Sequence, residues 1–130
     1  MRRFLSVVAV VAGLLASVDS HSHHSFSAEF DIGRPVTLAG TLESVEWTNP
    51  HAWLHVKVTD KQGKVQLWAV ELLGVNALVR SGMSSRTVKP GDKLTISGYG
   101  ARNRTNTANA SSVSRTDTGE TLWTSKPGGD

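Results

Sequence analysis

The stretch "HAWLHVKVTDKQGKVQLWAVELL", residues 51–73, contains two strand patterns joined by a turn. In the first pattern, apolar side chains alternate with other residues at four positions: Ala52, Leu54, Val56 and Val58. Such alternation is typical of a strand with one buried face. The segment "DKQGK" then offers Gly63 for the positive φ of a turn, and "VQLWAVELL" supplies the second pattern. The stretch therefore predicts an antiparallel hairpin.

A turn at residues 61–64 would fix how the two strands pair. It sets Leu54 opposite Glu71, Val56 opposite Ala69 and Val58 opposite Leu67. We expect this face to point inward, together with two residues of a later strand, Leu94 and Ile96.

The opposite face of the hairpin would then carry an apolar strip around His55, formed by Trp53, Trp68 and Val70. An exposed strip of this kind needs a partner or a covering segment. One candidate cover is the segment before the strands, through Phe26 and Phe30. The other is the short helix described below, or Trp123.

Further patterns extend the hairpin in both directions. Strands are predicted at residues 36–47, 93–99, 106–115 and 121–124, and a break in the alternation beside Gly40 and Ser44 predicts a β-bulge. Residues 74–82 place apolar side chains at helical spacing between two glycines, which predicts a helix of about two turns. This order predicts an all-β fold with one short helix, arranged as a five-stranded OB-fold-like barrel. An open β-sandwich is the alternative architecture.

The N-terminus carries an export pattern. Met1, Arg2 and Arg3 precede the apolar run "FLSVVAVVAGLLA", which is shorter than the about 20 residues of a membrane span. We predict a signal peptide at residues 1–20, cut after Ser20, with Ala16 as a weaker site. The expected product is periplasmic or secreted, with no membrane insertion after cleavage. It comprises an arm (residues 21–34), the barrel domain (35–125) and a flexible tail (126–130).

Composition excludes several classes of function. Loss of the signal peptide would leave 12 basic and 10 acidic residues, a nearly neutral balance that gives no reason to expect nucleic acid as a partner. The chain has no cysteine, so disulfides and thiolate metal sites are excluded. No catalytic constellation is recognisable, and an enzyme is not predicted.

The segment "HSHHSF", residues 21–26, concentrates three of the five histidines. If the mature chain begins at His21, its free amine with His23 and His24 could bind Cu(II), because planar nitrogen ligands favour that ion. The alternative interpretation is a soluble spacer that binds nothing.

Two residues of the hairpin are further candidates. His51 follows Asn49-Pro50 and either stabilises the turn or joins a metal site at the barrel rim. His55 stands about 13 Å from it along a strand, so one metal cannot take both. Glu71 needs a partner if buried. A salt bridge to Arg80 or Arg34 is one interpretation, and a ligand or acid/base role is the other.

The pattern "HHSF…EWTNPHAWLHV…WAVEL…NAL…VKPGDKLTISGY…TANA" resembles a family of small exported bacterial proteins known only as a domain of unknown function. The resemblance covers about His23 to Leu122. Its motif positions here are the following: His23, His24, Phe26, Trp47, Asn49, Pro50, His51, Glu71, Asn76, Pro90, Gly91 and Asn109. It implies a periplasmic location and brings no activity.

Two functions follow as hypotheses. The first is a periplasmic protein that binds copper or a similar metal through His21, His23, His24 and His51. The second is an OB-type module that binds an unknown ligand or envelope protein without a metal. Its candidate contact residues are Trp47, Asn49, Trp53, His55, Trp68, Glu71 and Asn76.

Overall fold

The computed structural model describes residues 26–125. A helical turn occupies residues 26–29, and six strands and one helix follow. They are β1 (Phe30–Glu46), β2 (Trp53–Thr59), β3 (Val65–Glu71), α1 (Val75–Arg80), β4 (Lys93–Ala101), β5 (Thr107–Arg115) and β6 (Thr121–Thr124). The predicted signal peptide and its cleavage site, the histidines His21, His23 and His24, and the tail at 126–130 lie outside the described residues.

The six strands form one sheet in the order β3-β2-β1-β4-β5-β6. Every pairing in this order is antiparallel, and β3 also pairs with β5 in parallel. The pairings of five strands therefore run in a ring, from β1 through β2, β3, β5 and β4 back to β1. The prediction of a mostly β fold with one short helix between the third and fourth strands is confirmed.

The long first strand bridges β2 and β4. It begins at Phe30, six residues before the predicted start, and so takes in the end of the predicted arm. Its register to β2 shifts between Leu42 and Ser44, where the alternation breaks in the sequence. At Gly40 a Cβ would lie 2.2 Å from the carbonyl oxygen of Lys57, so a side chain there would collide with β2. The predicted bulge is thus present.

The register of β3 against β2 differs by one residue from the prediction. Leu54 pairs with Val70, Val56 with Trp68, and Val58 with Gln66. A slip of one residue moves every β3 side chain to the other face. Leu67, expected to point inward, is therefore 50% exposed.

The outer strip predicted on β3 is corrected in the same way. Val70 is fully buried in the core and Trp68 packs against it, whereas Trp53 stays on the outer face of β2.

The core fills the interior of the ring. Its largest fully buried side chains come from every strand of the ring and from the segments around α1: Leu42, Leu54, Val56, Val70, Leu72, Leu78, Met83, Leu94, Ile96 and Val113. Four of the six residues predicted to point inward (Leu54, Val56, Leu94 and Ile96) are in this set. Trp123 of β6 also joins the core and donates through Nε1 to Ser81 Oγ at 3.1 Å.

Helix α1 begins after Gly74 and buries Leu78. At six residues it is too short to be stable alone, so its packing on the core holds it in place. No helix among residues 26–125 has the length and apolar character needed to cross a membrane.

Candidate functional site

His51 lies just before β2, at the end of the loop that leaves β1. Its Nδ1 is 3.0 Å from the carbonyl oxygen of Leu72 and 3.6 Å from Glu71 Oε1. Because a carbonyl oxygen only accepts hydrogen bonds, Nδ1 carries the hydrogen. In the neutral ring the lone pair then resides on Nε2, which has no hydrogen-bond partner among residues 26–125. The His51 side chain is 43% exposed, so the imidazole is partly accessible to solvent.

Glu71 ends β3 and is only 7% exposed. Its Oε1 accepts a hydrogen bond from Asn109 Nδ2 at 3.3 Å. Burial raises the pKa of the Glu71 carboxyl above its ordinary value. The charge of His51 and the hydrogen bond from Asn109 lower the pKa, and the neighbouring charge of Glu29 raises it further. Glu71 is therefore a carboxylate held at some electrostatic cost beside an oriented imidazole.

The expected salt bridge from Glu71 to an arginine is wrong. Arg34 donates instead through Nη1 to the carbonyl oxygen of Ala101 at 2.7 Å, and Arg80 is an exposed residue in the last turn of α1. Among the described residues the positively chargeable neighbour of Glu71 is His51. The one-residue slip of β3 explains the difference, because it moves Glu71 from the inner face to the outer one.

A row of four outer-face residues crosses the sheet at this level. Glu71 pairs with Trp53 on one side and with Asn109 on the other, and Asn109 pairs in turn with Tyr99. The strands that carry them are β2, β3, β5 and β4. We call Trp53, Glu71, Asn109 and Tyr99 the transverse row.

The helical turn at residues 26–29 lies against this row. Phe26 packs edge-on against the ring of Tyr99, with 6.1 Å between centroids, and lies 5.7 Å from the ring of Phe30. Phe30 is 2% exposed and pairs with Ala101 at the end of β4. We expected these two phenylalanines to dock on β2 and β3, but they contact β4. Phe30 does lie near β2, because it lines a cleft together with Trp53.

The other sequence candidates are dispersed. His55 contacts Glu46 Oε2 through Nε2 at 2.7 Å, on the outer face and away from His51. Trp47 and Trp68 pack against the core. Asn49 accepts the backbone N–H of Val75 at 3.0 Å and so caps α1, while Asn76 is exposed on that helix.

Tyr99, Glu29 and Asn109 belong to the site but were not predicted in it. Asn109 was a motif position without a role. Tyr99 is the only tyrosine of the chain and lies in the outward phase of β4, so the alternation of that strand was the available signal. The proximity of Asn109 and Tyr99 to Glu71 depends on the parallel pairing of β3 with β5, which no local pattern encodes.

The site can bind a proton or a metal ion at His51 Nε2. A carboxylate or carbonyl that accepts from the other ring nitrogen is the usual way in which proteins orient a metal-binding histidine. Residues 26–125 contain no group of three or more histidine, cysteine, aspartate or glutamate side chains arranged to hold a metal. A metal ion bound at Nε2 would therefore need ligands from outside these residues.

Comparison with known proteins adds a family. A family model, described as a family of unknown function (DUF6152), matches residues 11–110. The chain belongs to DUF6152. The match includes the complete transverse row and His51, and it ends within β5, before β6. The match of the family model confirms the resemblance to a domain of unknown function. No curated protein and no solved structure matches the chain.

Proposed function

We propose that this member of DUF6152 is an exported periplasmic protein that binds Cu(II), with His51 Nε2 as the ligand from the folded domain. The N-terminal histidines His21, His23 and His24 supply the remaining nitrogens. The observation that carries the proposal is the orientation of His51 by the Leu72 carbonyl and Glu71, which leaves Nε2 without a hydrogen-bond partner among residues 26–125.

The position of Phe26 supports a contribution from the N-terminal histidines. Phe26 packs on Tyr99, and Tyr99 lies two strands from Glu71. Two strand spacings amount to about 10 Å, and the two residues from Phe26 back to His24 span up to about 7 Å. A contribution of His24 to a site at His51 would therefore need the chain before Phe26 to run along the transverse row toward Glu71.

The choice of Cu(II) rests on ligand chemistry. Several imidazoles and a free amine form a nitrogen-rich set, and such sets favour Cu(II) or Ni(II) over Mg²⁺ or Ca²⁺. The amine is available if the signal peptide is cut after Ser20. The intact mass of protein exported by its own host tests this cut, and a start at Ser22 or later would remove the amine from the set.

A copper titration monitored by melting temperature tests the complete site. A ligand present at 100 times its Kd stabilises the folded state by about 2.7 kcal/mol, which corresponds to a rise of roughly 10 °C for a domain of this size. His51→Ala should abolish this rise, measured against the melting temperature of its own metal-free form, because the variant also loses the contacts to Leu72 and Glu71. His55→Ala is the matched control and should keep the rise, because His55 is paired with Glu46.

The same titration distinguishes the shared site from a terminal chelator. Histidines that act alone at the N-terminus bind the folded and unfolded chain equally, and equal binding does not change the melting temperature. Copper binding without a thermal shift would therefore overturn the role of His51. If no copper binds, the segment at residues 21–26 is a spacer.

The architecture in this proposal is an OB-fold-like barrel. The ring β1-β2-β3-β5-β4 and the position of α1 between β3 and β4 support it. In this arrangement His51 and the transverse row lie at one rim of the barrel.

A metal-independent binding module is the second candidate function, and a cleft beside Trp53 favours it.

A further inference from the structure

A cleft of about 350 Å³ opens between the N-terminal turn, the start of β2 and the loop from β4 to β5. Its walls include Glu29, Phe30, Trp53, Arg102, Asn103 and Thr105. The volume is at the lower end of the range for small-molecule sites, which is about 300–1,000 Å³. His51, the proposed metal ligand within residues 26–125, does not line it.

The loop that forms one wall is held in place by its own hydrogen bonds. Asn103 Oδ1 accepts from the backbone nitrogen of Thr105 at 3.1 Å and from its Oγ1 at 2.7 Å. Arg102 donates through Nε to the carbonyl oxygen of Ser27, and its backbone nitrogen donates to the backbone carbonyl oxygen of Glu29 at 2.8 Å. These contacts connect the loop to the N-terminal turn, so the cleft has fixed walls on two sides.

Polar groups on these walls remain available to a ligand. Within residues 26–125, the side-chain amide nitrogen of Asn103, the carboxylate of Glu29 and Nε1 of Trp53 make no hydrogen bond. Both terminal nitrogens of Arg102 are likewise without a partner in that range, since only its Nε is used. The walls thus offer donors from three side chains and an acceptor from one.

We propose that this cleft binds a neutral saccharide of one or two rings. Planar carboxylate, amide and guanidinium groups present pairs of donors or acceptors that match neighbouring hydroxyls. The indole of Trp53, which is half-buried, offers apolar surface to the C–H face of a pyranose. Glu29 and Arg102 have opposite charges, so the cleft has no net charge that would demand an ionic ligand.

Calorimetric titration of the processed protein with cellobiose, maltose and N,N′-diacetylchitobiose tests the proposal. We expect at least one of them to bind with a Kd near or below about 1 mM. The informative variant is Asn103→Asp, because aspartate keeps the oxygen that accepts from Thr105 and loses the free amide donor. It should weaken binding by about tenfold, the loss expected for one hydrogen bond. The melting temperature should stay within a degree or so of the wild type.

The matched control is Gln62→Glu, the same change of amide to carboxylate at an exposed position of the turn between β2 and β3, and it should bind as the wild type does. The proposal is overturned if none of the three sugars binds at up to about 10 mM, or if Asn103→Asp binds as tightly as the wild type. Preferential binding of an amino acid such as phenylalanine, whose two charges would suit Glu29 and Arg102, would also overturn it. His51→Ala should leave sugar binding intact, which separates this test from that of the copper site.

Discussion

His51 and His55 lie four residues apart, and each has a glutamate beside it. His55 Nε2 is 2.7 Å from Glu46, whose side chain is 59% exposed, so water competes for that carboxylate. His51 Nδ1 is 3.6 Å from Glu71, whose side chain is only 10% exposed, and it also has the Leu72 carbonyl at 3.0 Å. His51 therefore has the longer contact to its glutamate, but its ring is held by two acceptors rather than one.

Burial, rather than the N···O distance, distinguishes the two pairs. An exposed ion pair gains little because water and salt screen it. The electrostatic interaction of a buried carboxylate is screened less by water. In the His51 pair a second acceptor, the Leu72 carbonyl, lies beside Nδ1 and fixes the hydrogen on that nitrogen. The His51 pair is therefore suited to present a ligand atom, whereas the His55 pair is a surface contact.

The register of β3 produces this difference, and Leu54→Ala tests it with the largest expected effect. Leu54 is fully buried and pairs with Val70. Its truncation should lower the free energy of unfolding by about 2–5 kcal/mol, as buried leucines usually do. Leu67→Ala is the matched control. Since Leu67 is 50% exposed, its loss should be below about 1 kcal/mol. Chemical denaturation of both variants gives the answer, and equal losses would contradict the observed register.

The sequence contained the signal for this register, but it was ambiguous. Thr59 pairs with Val65, so the turn consists of residues 60–64 and not 61–64. Asp60 belongs to the turn because its Oδ1 accepts the backbone N–H groups of Gln62 and Lys64, each at 2.9 Å. Aspartate often forms such local bonds in turns. Apolar residues occur in both phases of β3, so the alternation alone could not exclude the shifted pairing.

The alternation was decisive elsewhere. β2 and β4 each have one apolar phase, and their inward residues were predicted correctly at Leu54, Val56, Leu94 and Ile96. The bulge in β1 and the helix after β3 were also readable, from a phase break and from spacing between glycines. The transverse row could not be predicted from the sequence, because it depends on pairings between strands that are distant along the chain.

Phe30→Ala tests whether Phe30 holds the N-terminal turn against the sheet. Phe30 is 2% exposed, and burying one phenylalanine is worth about 1.5–3 kcal/mol. We expect a loss of that size in denaturant unfolding, together with faster amide exchange at residues 26–29. Ile32→Ala is the control, since Ile32 is 71% exposed. If amide exchange at residues 26–29 stays slow in Phe30→Ala, other contacts hold the turn.

Glu71→Gln tests the electrostatic cost of the buried carboxylate. Because burial raises the pKa of folded Glu71 above its ordinary value of 4.5, the folded state holds this proton more tightly than the unfolded state. Stability from this group is full below pH 4.5 and is lost as the pH rises through the pKa of the folded state. Each unit between the two pKa values is worth about 1.4 kcal/mol.

Glutamine cannot ionise, so the variant should gain stability relative to the wild type between pH 4 and pH 7. Thermal or denaturant unfolding across that range measures the gain. Glu43→Gln serves as the control, because Glu43 is in an exposed salt bridge with Lys57 and should keep the pH dependence of the wild type. Parallel stability curves for Glu71→Gln and the wild type would mean that Asn109 and His51 fully offset the burial.

The smallest effect is expected at the second histidine pair. A double-mutant cycle of His55→Ala and Glu46→Ala at pH 6 should give a coupling energy below about 1 kcal/mol, as is usual for exposed ion pairs. That coupling should shrink further in 0.5 M salt, because the Debye length there is only about 4 Å. The corresponding cycle of His51→Ala and Glu71→Gln should lose much less of its coupling in salt, since Glu71 is shielded from water. If salt lowers both coupling energies to the same extent, burial does not distinguish the two pairs. The assignment of His51 as the oriented ligand would then be wrong.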